Sequence, residues 1–235
     1  MTSATGGGET AVTPAPRAVV FDVLETLTDL TPLGRRFEEI GRPATLLQPW
    51  FLRLQRDSMA LALSGPAAGF SAVARQALHT ESGQTVTDEE ISHVLGGFAA
   101  LPAYADAEPA MRRLRESGVG VGCLTVGEAG PTWTFLERTG LAPYVDQVVA
   151  AGETGTWKPA PGVYRAAAER MGVPPDRLAL VAVHAWDCHG AKRAGCVAGW
   201  CDRLEGRRGD VFLDPDVSGG DLMEVTEALL ALPGG

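Results

Sequence analysis

No stretch of the 235-residue chain is apolar for long enough to cross a bilayer, which takes about 20 consecutive apolar residues. A membrane partner is therefore not expected. Basic charge is scarce. There are 20 Lys and Arg against 29 Asp and Glu, a formal net charge of −9. Binding to a nucleic-acid duplex rests on a basic stripe that neutralises phosphates, so nucleic acid is not an expected partner either. Cysteine is sparse as well. Cys123, Cys188, Cys196 and Cys201 form no Cys-x-x-Cys pair, and the His residues fall at no zinc-ligand spacing. That excludes the usual structural zinc patterns. Cys123 and Cys196 lie in strand-like runs and read as small core residues. A reducing, cytoplasmic setting is the expectation. The first 16 residues are rich in Gly, Thr and Pro. They lack the basic start and apolar segment of a signal peptide and read as a disordered tail.

What is present is a chain of ordinary apolar content, 45%, long enough for one large α/β domain or a core with a smaller module. The run Ala18 to Phe21 is short, continuous and apolar, and ends in Asp22. Such a run suits a strand buried on both faces. In open parallel sheets ligands bind beyond the carboxyl ends of the strands, which is where Asp22 falls. An Asp there can equally open a turn or cap a helix.

From Leu33 to about Leu101 the apolar spacing is helical. Leu46, Leu47, Trp50, Phe51 and Leu54 recur at threes and fours, and the pattern runs to Gly65-Pro66. A second helix is expected from Phe70 to His79. A third follows a capping box at Thr87-Asp-Glu-Glu90. This block is an insertion after the first strand.

Alternation then resumes. Strands are expected at Val119–Val126, Val145–Ala150, Leu178–Val183 and, as the last, Val197–Cys201. Helices separate them, and Leu222–Leu232 closes the chain as an amphipathic helix. Strands spaced in this way by helices imply a parallel sheet with right-handed crossovers. Asp22, Thr125, Lys158 (through a loop) and Asp187 would then share one sheet edge. A carboxylate, a hydroxyl, an ammonium and a second carboxylate make a site for covalent chemistry. The Lys keeps the nucleophile ionised, and the second carboxylate positions the Lys or a water. Asp187 could instead be the N-cap of the helix that follows. His184 is either a hydrogen-bonded core residue or a general base, for which its ordinary pKa is suited.

These motifs together resemble the haloacid dehalogenase superfamily. Phe21-Asp-Val-Leu-Glu-Thr-Leu27 looks like its first motif and Leu124-Thr125 its second. Trp157-Lys158-Pro159 with Tyr164 looks like the third, and Val183-His-Ala-Trp-Asp187 the fourth. The resemblance runs from Arg17 to the C-terminus. It implies a Rossmann-like parallel core of residues 17–30 and 103–235 under a helical cap domain of residues 31–102.

Among its members the L-2-haloacid dehalogenases are most similar. The phosphatase members carry a second Asp where this chain has Leu24, and usually a pair of acidic groups in the fourth motif, where it has Asp187 alone. What the resemblance implies is cofactor-free displacement at carbon on a small anionic substrate. Magnesium belongs only to the phosphatase alternative. Asp22 attacks and forms an ester, Lys158 keeps it ionised, and Asp187 with His184 orients Lys158 and the hydrolytic water. Thr125 holds the substrate carboxylate. Arg42, spaced before Trp50 as in the dehalogenase cap, stabilises the leaving anion.

Trp50 itself is either cap core or pocket wall. The second motif of the dehalogenases is Ser-Asn, where this chain has Thr125-Val126. They place Ser and Asn before the last Asp, where it has Ala182 and His184, and an aromatic where it has Leu24. Leu24 and Val126 therefore reshape the substrate pocket. Homodimers formed through the cap helices are common among similar proteins. A third reading keeps the scaffold but makes the chain a non-hydrolytic displacement enzyme or a silent binding partner.

Overall fold

The computed structural model describes residues 13–65 and 68–234. Residues 1–12 of the expected tail lie outside these. Of the rest, Thr13 Oγ1 donates to Asp216 and the Ala15 N–H to the Pro233 carbonyl, both against the core.

The first strand, β1 (Ala18–Phe21), is buried at every position. Both of its faces are apolar because both are covered. Val19 and Phe21 pack into one hydrophobic cluster and Ala18 and Val20 into another, as the period of two along a strand requires. It lies between β2 (Gly120–Thr125) and β4 (Leu178–Ala182). β3 (Gln147–Ala150) flanks β2 on one side, and β5 (Val197–Cys201) flanks β4 on the other. All pairings are parallel.

A sixth strand, β6 (Val217–Gly219), pairs with β5 and completes the order β3-β2-β1-β4-β5-β6. The sequence reading ends the sheet one strand earlier. Three residues with no apolar run carry no periodic signal, and only the neighbouring edge makes them a strand.

Helices α5 (Ala107–Glu116), α6 (Ala129–Arg138) and α9 (Leu222–Leu230) pack on one face of the sheet. Helices α7 (Pro161–Arg170) and α8 (Ala185–Arg193) pack on the other. In this doubly wound order the chain leaves β1 toward β2 on one side and reaches β4 on the other. β1 therefore ends at the topological switch point, where such sheets open a crevice.

Between β1 and β2 come α1 (Leu33–Glu39), α2 (Leu47–Ser64), α3 (Phe70–Glu81) and α4 (Asp88–Gly96). They enclose a separate cluster centred on Phe37, Trp50, Phe51, Leu54, Leu78 and Ile91. The capping box at the start of α4 forms as expected, with Thr87 accepting from Glu90 and Glu90 accepting in return.

Candidate active site

Asp22 follows β1 directly, and its backbone N–H extends the ladder to the Val181 carbonyl. The residue is 4% exposed. A buried carboxylate needs a cation or several donors to stay charged, and both are supplied here. Lys158 Nζ donates to Asp22 Oδ1 at 2.9 Å and to Asp187 Oδ2 at 2.7 Å. Thr26 Oγ1 donates to Asp22 Oδ2 at 2.8 Å, and accepts from the Val183 N–H at the end of β4. Burial pushes the Asp22 carboxyl up, but Lys158 and His184 outweigh it and hold the group well below the usual carboxylate range. Lys158 is 1% exposed. Its own burial favours the neutral amine, and the two carboxylates overcome that and raise it.

Asp187 is not the N-cap of α8, which is His184. It is the third residue of the helix, where the positive end of the helix dipole favours a carboxylate. Its second oxygen accepts from the Tyr164 hydroxyl at 2.5 Å. Burial pushes Asp187 upward and Tyr164 well above its ordinary value, so that hydroxyl remains a donor. The packing behind this array is tight. A Cβ on Gly190 would come within 2.5 Å of the Tyr164 hydroxyl and 2.9 Å of the Pro159 carbonyl.

His184 is 5% exposed. Its Nε2 lies 2.8 Å from Glu25 Oε2, and its Nδ1 lies 3.5 Å from Asp22 Oδ2. Because a carboxylate only accepts, Nε2 carries a proton in that contact. Burial disfavours the imidazolium, but Asp22 and Glu25 more than compensate and raise the group from 6.5 to about 10.

A group raised in this way stabilises the fold fully below its unfolded value and loses that contribution as pH climbs to the folded value. The stability gap between the native protein and His184→Asn is accordingly expected to be largest below pH 6.5 and to shrink toward pH 10. Urea unfolding of both proteins at pH 6 and pH 9 checks this. An equal gap at the two pH values would show that His184 is not held as the imidazolium.

A small cavity of about 20 Å³ opens over Asp22, Lys158 and His184. That is room for about one or two waters. Leu24, Phe51, Leu54, Met59, Val126 and Trp186 give it apolar walls, and Gln55 and Ser58 are its polar residues from α2.

Of the residues singled out in the sequence, Asp22, Lys158, Asp187 and His184 meet here, with Leu24 and Val126 at the cavity wall. Thr125 does not. Its hydroxyl accepts from the Gly127 N–H, and it lines a second, larger cleft of about 710 Å³ between α6 and the helical block. That cleft shares Leu24 with the first. Arg42 is also elsewhere. It lies before α2, donates to the carbonyl and hydroxyl of Thr85, and does not line the cavity. Trp50 is fully buried in the core of the helical block, with Nε1 donating to the Ala74 carbonyl. It faces away because the face of α2 turned to the cavity carries Phe51, Gln55, Ser58 and Met59, at the three-to-four spacing of one helical stripe.

Sequence reasoning missed Glu25, Thr26 and Gln55. Gln55 has a signal in retrospect, since it is a long polar side chain one turn beyond Phe51 on a stripe that otherwise carries apolar residues and the small Ser58. Thr26 lies four residues from its partner Asp22, whereas Glu25 has no such signal, because its partner His184 lies 159 positions away.

A buried carboxylate paired with a buried ammonium, on the crevice of a doubly wound parallel sheet, is the setting of an α/β enzyme. The comparisons with known proteins agree with that class. The haloacid dehalogenase-like hydrolase family matches residues 16–195, and the chain belongs to that family. An (S)-2-haloacid dehalogenase of Pseudomonas fluorescens is 25% identical over 219 residues, covering 91% of this chain and 96% of that protein. A glyceraldehyde 3-phosphate phosphatase of Methanopyrus kandleri is 30% identical over 77% of this chain and 82% of its own length. The crystal structure of an L-2-haloacid dehalogenase superposes with a TM-score of 0.85 at 26% identity, covering 92% of this chain and all of that one.

The phosphatase branch raises the question of magnesium, which prefers octahedral oxygen coordination. The residues here do not fit it. The Lys158 ammonium occupies the position between the two carboxylates, and Leu24 offers no side-chain oxygen. Among the described residues, no group of three or more His, Cys, Asp or Glu is arranged to hold a metal.

Proposed function

We propose that the chain hydrolyses a short-chain (S)-2-haloacid, or a close analogue with another anionic leaving group, through an ester on Asp22 and without a metal. The observation that carries this reading is the setting of Asp22, an ionised carboxylate facing a small cavity whose walls are mostly apolar. A phosphate ester calls for several converging donors. Here the two cations near Asp22 are already engaged by buried carboxylates. A carbon–halogen bond needs only in-line access and a dry carboxylate.

In this reading Asp22 displaces the halide at carbon. Lys158 holds Asp22 ionised and oriented, and Asp187 and Tyr164 hold Lys158. Gln55, in place of Arg42, faces the leaving group from the helical block, and backbone N–H groups at the ends of β1 and β2 receive the substrate carboxylate. Leu24 and Val126 limit its chain length. Residues 31–102 act as a cap domain over a core of residues 17–30 and 103–235, and α2 moves to admit substrate.

The test is halide release from L-2-chloropropionate by chelator-treated enzyme, with turnover in heavy-oxygen water followed by mass spectrometry of the Asp22 peptide. The expected result is stoichiometric halide and heavy oxygen in Asp22. Phosphate-ester hydrolysis that vanishes with chelator, with no halide released, would overturn the reading in favour of the phosphatase branch.

A further inference from the structure

The turn after β1 contains an unusual residue. Glu25 has φ of 66°, a left-handed conformation that non-glycine residues adopt rarely and only under strain. Its side chain is turned inward and nearly buried. A charged residue with a strained backbone in a dry turn persists only if its side chain is held by something, and that something is His184. The carboxylate accepts from Nε2 at 2.8 Å. The other ring nitrogen, Nδ1, is buried, has no hydrogen-bond partner, and is aimed at Asp22. An imidazole fixed at one nitrogen by a carboxylate, with the other turned to the reacting group, is the arrangement of a general base and its orienting acid.

We infer that Glu25 is a positioning residue that holds His184 as the general base for hydrolysis of the Asp22 ester. This rests on the Asp22 ester reading above. The charged groups around the ring fit a timed role. Asp22 faces Nδ1 and Glu25 faces Nε2. Lys158 lies on the far oxygen of Asp22, Asp187 is behind Lys158, and Glu205 accepts from the Ala185 N–H next to His184. From α2 only the neutral Gln55 approaches, at 3.3 Å. In the resting enzyme Asp22 and Glu25 keep the ring protonated, which prevents His184 from acting as a base too early.

Ester formation removes the Asp22 charge and expels the halide, and His184 sheds a proton to solvent. Glu25 then holds the neutral ring with its proton on Nε2, leaving Nδ1 with a free lone pair. Nδ1 takes a proton from water as the hydroxide adds to the Asp22 carbonyl carbon. The tetrahedral intermediate breaks its bond to the substrate oxygen, and His184 protonates that oxygen to release a 2-hydroxy acid. The new Asp22 carboxyl returns its proton to His184 and restores the resting pair. The sum is haloacid plus water giving hydroxy acid, halide and one proton.

The test uses Glu25→Gln, which keeps an acceptor but removes the charge, and Glu25→Gly, which removes the side chain and relieves the backbone. Each is compared with the native chain on L-2-chloropropionate, with thermal unfolding confirming that the variants are folded. Expected for both is a burst of about one halide per enzyme, with the Asp22 ester accumulating by mass spectrometry. Steady turnover should slow by roughly 100-fold, within the usual range for a general base. In Glu25→Gln the NMR titration midpoint of His184 should fall. Unchanged turnover and no ester build-up in either variant overturns the role of Glu25 and leaves the ester reading standing. No halide and no Asp22 ester from the native chain overturns that reading and this role with it.

Discussion

Asp22→Asn is expected to abolish halide release by roughly 10⁴-fold or more, the scale on which loss of a nucleophile acts. The carboxamide cannot form the ester, and one of its two faces presents N–H groups to a site built around an acceptor. Asp22 Oδ1 accepts from Lys158 and Oδ2 from Thr26. If the amide nitrogen lies on the Lys158 side, a donor meets a donor. If it lies on the other side, it meets the Thr26 hydroxyl. The fold should survive, because Lys158 keeps Asp187 and His184 keeps Glu25. Single-turnover halide measurement beside far-ultraviolet circular dichroism checks both parts. A folded variant that still releases halide at a tenth of the native rate would mean that Asp22 is not the attacking group.

Lys158→Met acts on stability as well as on rate. The Met side chain fills similar space, but it removes the cation between two buried carboxylates, leaving Asp187 with none and Asp22 with His184 alone. Breaking a buried ion pair from one side costs about 3–5 kcal/mol. The sign with pH follows from the causes already given. Burial raises both Asp22 and Asp187, and Lys158 lowers both. Without Lys158, Asp187, already raised in the native protein, rises further, and Asp22 rises as well, held down by His184 alone. The variant's deficit is then greatest at neutral pH and above, and is relieved as acid protonates the carboxyls. Urea unfolding at pH 5 and pH 8 should show the smaller deficit at pH 5. An equal deficit at both would place the loss in packing rather than charge. Halide release should be lost at either pH, because nothing then holds Asp22 oriented for attack, and at pH 5 a protonated Asp22 cannot attack at all.

The sheet was legible because its signals are local. Ala18 to Phe21 and Leu178 to Ala182 are apolar on both faces, and that pattern follows from burial alone. Thr87 with Glu90 announces a helix start through groups three residues apart. Given parallel strands, Asp22, Lys158 and Asp187 had to reach one edge. The misplacements share a cause. Thr125, Arg42 and Trp50 each satisfy a nearby backbone or side-chain partner instead of the cavity. Which face a side chain takes depends on the rotation of its helix or on the turn beyond its strand. Residue type does not record that.

The stretch around Asp22 shows the division most clearly. By itself the sequence determined that a carboxylate ends a buried strand and that a Lys and a second carboxylate follow at the ends of later elements. Hydrophobic periodicity and chain connectivity suffice for that. Only the tertiary structure decided that Glu25 turns inward at positive φ and meets His184, a residue 159 positions away. That contact depends on the register of β1 against β4 and on the twist of one turn. Neither quantity is written in the identity of any single residue.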